Sequence, residues 1–249
     1  MANQYGALTD HWGLLSEGGA LQGKAVLVAS SSTPVAKSVV RAQDANGDNA
    51  AEEESGQTAA GTLAEVSCTY ALTQNTLNLN TLKLGAIIAG TPTKLALSLE
   101  ATTSNGEWPQ ITVSGLINAI EVVAPAGKLN TFSIVDSITL TNAKRAQLLD
   151  FTVGVTGPPP NCRLTGSTYS ASIESAEATN GVGVIVAHGL SGGVVTQACE
   201  LVAVEGAASW TPGGTWIETQ KPGADEGAAA WHTASASAEK ILARDNDPE

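Results

Sequence analysis

Basic residues are scarce in this chain. Only 12 of 249 residues are Lys or Arg, against 24 Asp and Glu, for a formal net charge of -12. Sequence-independent affinity for nucleic acid comes from Lys and Arg neutralising phosphates. Here Lys144-Arg145 is the sole adjacent basic pair, so tight nucleic-acid binding is not expected. Aromatics are equally thin at 4%, so the core must be built mostly from small and β-branched side chains. Those suit layered sheets, where side chains alternate between two faces. Cysteine is limited to Cys68, Cys162 and Cys199, an odd set without CxxC spacing. They read as buried free thiols, with one disulfide or a metal site as the alternatives.

Apolar runs long enough to cross a membrane as a helix are absent, because no stretch approaches 18 consecutive apolar residues. The start, Met1-Ala2-Asn3-Gln4-Tyr5-Gly6, has neither a basic n-region nor an apolar h-region. Synthesis in the cytoplasm and no membrane insertion are expected. Catalytic signatures are missing too: the sequence has no GxSxG, HExxH, Walker or glycine-rich nucleotide motif. His11, His188 and His232 are the only histidines, and none has a Ser, Cys or carboxylate partner at a telling spacing. An enzyme is not expected, nor is a cofactor or a metal. Asp44-Ala45-Asn46-Gly47-Asp48 opens like a calcium loop. It puts Asn49 where glycine is required and Ser55 where the bidentate glutamate must sit, so it reads as a turn. Glu52-Glu53-Glu54 reads as its solvated acidic extension.

Short alternating runs are what the chain does have, such as Val66-Ser67-Cys68-Thr69-Tyr70-Ala71-Leu72. Their period of two predicts strands. Further strands are expected near residues 25–29, 35–40, 77–84, 93–101, 111–114, 132–140, 151–155, 164–174, 182–188, 194–205 and 231–242. Gly189 and Gly192-Gly193 read as turns, and Asn142 to Leu149 as one short helix. The expected class is all-β: a β-sandwich or barrel with that helix, long loops and two similar modules as a further option. The parts would be an N-terminal arm over 1–23, a first β module over 24–156 and a Pro-rich break over 157–163. Residues 164–243 would form a second module or complete a single sandwich, followed by a polar tail over 244–249.

A faint echo supports the two-module option. Cys68-Thr69-Tyr70-Ala71-Leu72 with Trp108 downstream resembles Ser167-Thr168-Tyr169-Ser170-Ala171 with Trp231 downstream. The arm residues Tyr5, Leu8 and Trp12 are expected either to fold over their own sheet or to pack on a neighbouring subunit. Trp210 and Trp216 flank Pro212-Gly213-Gly214. They read as a subunit anchor, or alternatively as a recognition loop for carbohydrate or peptide.

Several of these features together resemble virion proteins of tailed bacteriophages, the tail tube family most closely. They are the cytoplasm-style N-terminus, Thr/Ser/Ala-rich strands over about residues 24–243, long polar loops, an acidic balance and the short central helix. The resemblance implies a virion structural protein, made in the host cytoplasm, that assembles into stacked hexameric rings alongside other virion proteins. With duplicated modules the rings would be trimeric. An acidic lumen would let DNA pass without trapping it. Ring contacts would fall on Tyr5, Leu8, Trp12, Trp210 and Trp216, and on the acidic loop with Asp44, Asp48, Glu52, Glu53 and Glu54. The alternative is a decoration, neck or adhesion-type β-sandwich binding module.

Overall fold

The computed structural model describes residues 8–35, 39–43, 45–54, 57–79, 82–85, 87–88, 94–120, 122–123, 131–133, 139–149, 155–181, 183–203, 214–220, 231–242 and 244. Tyr5, Asp44 and Trp210 therefore lie outside the described residues, as do 151–154 of one expected strand.

The chain is all-β. After the arm come β1 (Ala25–Pro34), β2 (Val39–Gln43), β3 (Asn49–Glu54), β4 (Gln57–Thr58), β5 (Gly61–Thr62) and β6 (Ala64–Leu72). Then follow β7 (Thr76–Asn78), β8 (Lys83–Leu84), β9 (Ile87–Ile88), β10 (Lys94–Ser104), β11 (Gln110–Ile117) and β12 (Val122–Val123). The remainder are β13 (Phe132–Ser133), β14 (Thr139–Thr141), β15 (Cys162–Thr179), β16 (Ile185–Ala203), β17 (Ile217–Gln220) and β18 (Thr233–Leu242).

One sheet dominates, in the order β1-β6-β11-β10-β15-β16-β18-β17. Every neighbouring pair along it is antiparallel. Within each group of four strands the order is first, second, fourth, third, and the β10–β15 pairing joins the two groups edge to edge. Among the described residues β1 and β17 do not pair, so the sheet stays open and no barrel closes.

Alternation sorts the side chains of this sheet. On one face a row runs Tyr70, Ile111, Ala101, Tyr169, Gln197, each directly opposite the next, and all are buried. The cover over this face is irregular. It includes Trp12 and Leu21 of the arm, Leu77 and Leu140 of the β7–β14 pair, and Leu84 and Phe132 of the β8–β13 pair. The layered, sandwich-like arrangement is what a chain with few aromatics can fill. A smaller core around Val155, Cys199, Leu201 and Trp216 supports the far end of the sheet.

The arm packs on its own sheet over its described part. Trp12 is 2% exposed and its indole Nε1 donates to the Val113 carbonyl at 2.8 Å. Asp10 shapes the turn by accepting from the Gly13 and Leu15 amides at 3.0 and 2.9 Å. The Tyr70 hydroxyl, from the sheet beneath, also donates to Asp10.

Three expectations need correction. No helix forms over 142–149. The segment is spread along the sheet end because side chains and strand residues take the amides a helix would use. The Gln147 amide donates to Thr103 Oγ1 at 2.9 Å, the Ala146 amide to Asn105 Oδ1 at 3.2 Å, and the Gln147 side chain grips Thr141. Two turns of helix add too little to compete.

Neither Gly189 nor Gly192-Gly193 is a turn, and the two strands expected around them are one 19-residue strand, β16, with Gly189 paired opposite Ala176. Gly192 and Gly193 sit in a β-bulge, where the register passes from Ser172 opposite Val194 to Glu174 opposite Ser191. A Cβ on Gly193 would run into the Ser172 carbonyl. Lastly, Glu52-Glu53-Glu54 is not a loop but the end of β3, paired with β2 with Glu52 and Arg41 at opposite positions of the register. The turn expected from Asn46-Gly47 does close this hairpin, with Gly47 at a φ of 85°.

Candidate functional site

Much of the main sheet's second face carries hydroxyls. Register places Ser31, Ser67, Ser114, Ser98 and Ser172 in one row across five strands, and the row continues into Val194 and the exposed Ile241. The next row is Thr69, Thr112, Glu100, Ser170, Thr196 and Glu239. Many of these groups satisfy one another: Ser114 donates to Ser67 at 2.9 Å, and Thr69 and Thr112 share a bond of the same length. The charges within these two rows are carboxylates, on Glu100 and Glu239, and both residues are exposed. Such a surface offers weak, mutually satisfied polar groups and negative charge, with nothing in those rows to hold a phosphate. Near β1 it dips into a depression of about 350 Å3 whose lining mixes hydroxyls such as Ser67, Ser98 and Ser114 with the apolar Val66, Leu97 and Leu116.

A second concavity, of about 620 Å3, lies where the 141–147 segment meets the start of β15. Arg145 and Arg163 both line it, with Cys162 and Pro158. Its neighbour Lys144 stacks over Trp108 at 4.8 Å.

The expected contact residues do not gather at one place. Leu8 is exposed, whereas Trp12 is in the main core. Trp216 is buried, and its Nε1 donates to the Thr156 and Gly157 carbonyls at 2.9 and 3.2 Å. It anchors the chain to itself, by filling the small core. Asp48 is exposed beside the β2–β3 turn, and Glu52 to Glu54 occupy β3. Sequence reading singled out Lys144-Arg145 but missed Arg163 as its companion, since only the fold brings the two segments together.

The histidines have separate surroundings. His232 Nδ1 lies 2.7 Å from Glu218 Oε1 on the neighbouring strand. His188 is fully buried, with Nδ1 3.5 Å from Ser175 Oγ and Nε2 without a hydrogen-bond partner. Burial lowers its pKa from the usual value near 6.5, partly opposed by Glu177, which is directly opposite on β15. A lowered folded pKa means the unfolded chain binds the extra proton first, so this stability is whole above pH 6.5 and declines below it. Wild-type protein should therefore lose more stability than His188→Leu between pH 7 and pH 5, measured as paired urea midpoints. Equal losses would remove His188 as the cause.

All three cysteines are free. Cys68 and Cys199 are buried, and burial also pushes the Cys199 thiol upward. Cys162 is half-buried on the cleft. A disulfide-exchange reagent should thus modify one thiol quickly in native protein and the other two only on unfolding. A Cys162→Ser variant should lose the fast phase.

Among the described residues, no group of three or more His, Cys, Asp or Glu is placed to hold a metal ion. No helix there is long and apolar enough to cross a membrane. No protein-family model matches the chain, and no curated protein is similar enough to be matched.

Proposed function

We propose that this chain is a self-assembling structural subunit, of the kind that builds a virion tail tube. The observation that carries this reading is the strand order, repeated twice in one open sheet. Inside the chain, the last strand of the first group (β10) pairs antiparallel with the first strand of the second (β15). Eight alternating strands leave β17 in the same relation to β1 of a following copy. Repeating the junction between copies would close a ring and remove the free edges.

Three copies would then supply about 24 strands, beyond the sizes at which barrels leave an aqueous channel. With the covered face turned outward, the hydroxyl and carboxylate face would line the lumen. DNA would meet little there to bind. Synthesis in a host cytoplasm and incorporation with other virion proteins go with this reading, as does the absence of catalysis.

A decoration, neck or adhesion-type module is less well supported, because Trp216, half of its proposed recognition loop, is inside the small core. Sedimentation velocity and negative-stain microscopy of the purified protein test the choice. Rings of three copies, alone or stacked, are expected. Uniform monomers at high concentration would sink the assembly reading.

A further inference from the structure

We propose that the arginine cleft between the 141–147 segment and β15 is a docking site for the acidic β2–β3 hairpin of a second copy of this chain. The inference rests on the assembly reading and names one contact within it.

The cleft is unusual for its charge. Arg145 and Arg163 are two of only 12 basic residues, yet both are exposed on one concavity. Among the described residues neither has an ion pair, although acidic residues outnumber basic ones two to one. The walls are held by internal bonds. Asn105 donates to the Leu164 carbonyl at 2.8 Å and accepts from the Ala146 amide at 3.2 Å, so it ties the Arg145 segment to the Arg163 strand. The side chain of Gln147 is likewise spent on Thr141. What the cleft offers a partner is therefore two guanidinium forks on a fixed frame. Such forks match carboxylates in two-point contacts.

The second copy supplies the complement. Residues 39–54 contain Asp44, Asp48, Glu52, Glu53 and Glu54 against the single basic residue Arg41. Among the described residues the hairpin is a two-stranded sheet of its own, unpaired with the main sheet. Copies that each carry -12 repel at long range, so close association needs local pairs of opposite sign that also fix the register.

The test is charge exchange in the full chain, with association followed by sedimentation and folding by circular dichroism and melting temperature. Arg145→Glu/Arg163→Glu should weaken association about tenfold or more. Glu52→Lys/Glu53→Lys/Glu54→Lys should do the same, and both sets combined in one chain should restore it. A second measurement uses the thiol already in the cleft. Cysteine introduced singly at Glu52, Glu53 or Glu54 should form a disulfide-linked dimer with Cys162 of another copy under mild oxidation, and Cys162→Ser should abolish it. Folded variants that associate like wild type, or no cross-link from any of the three positions, would overturn the docking site while leaving the assembly reading intact. A wild-type monomer would overturn both. Binding of a labelled oligonucleotide that the arginine variants lose, with association unchanged, would assign the cleft to phosphates and overturn the proposal.

Discussion

Replacing Trp12 by alanine should destabilise the protein by about 3–5 kcal/mol, read as a lower urea midpoint at unchanged slope. The ring is 2% exposed and lies against Gly115, where a Cβ would come within 2.9 Å of its edge. Few other side chains of that size are available, since the whole chain has five Trp and two Phe. The cavity would be hard to refill from neighbours. Trp12→Phe separates packing from hydrogen bonding: it keeps a ring but removes the donor to the Val113 carbonyl, at a cost of about 1 kcal/mol. If alanine there cost less than 1 kcal/mol, the arm would not be part of the core.

A methyl group at Gly193 should be nearly as damaging. Gly193→Ala is expected to cost about 3 kcal/mol, the upper end for overpacking, because its Cβ meets backbone that cannot swing aside. The obstructing atoms belong to Ser172 and Ile173 on β15. Relief would require shifting the bulge that re-aligns two long strands. Gly189→Ala in the same strand is the control: its Cβ would lie 3.9 Å from the nearest atom, the Ala176 carbonyl. It should change stability by less than about 0.5 kcal/mol. Equal effects of the two substitutions would show that loss of strand flexibility, rather than the close approach, governs both.

The two positions were unequally legible. Trp12 was visible as a large apolar residue in need of cover, and its own sheet was one of the two covers expected. Gly193 was misread, because Gly-Gly signals a turn when only local conformation is weighed. A bulge depends on which residue stands opposite, and Ser172 is about twenty positions away. The helix at 142–149 failed for a related reason. Lys144, Arg145 and Ala146 have good helix propensity, but Thr103 of β10 captures the Gln147 amide and Asn105, just past that strand, captures the Ala146 amide first.

The sequence by itself determined the class and the two surfaces of the sheet. Alternation in runs such as Val66 to Leu72 is local, and its period of two decides which residues share a face wherever the strand is placed. Charge is equally local, so the scarcity of Lys and Arg is a property of the chain before it folds. Tertiary structure decided everything that depends on partners. The order of strands, the β10–β15 junction, the bulge at Gly193 and the meeting of Arg145 with Arg163 all follow from register between distant segments. Many pairings suit strands of such uniform Ser, Thr and Ala content. The one that forms is chosen by burial across the whole sheet, which no single stretch contains.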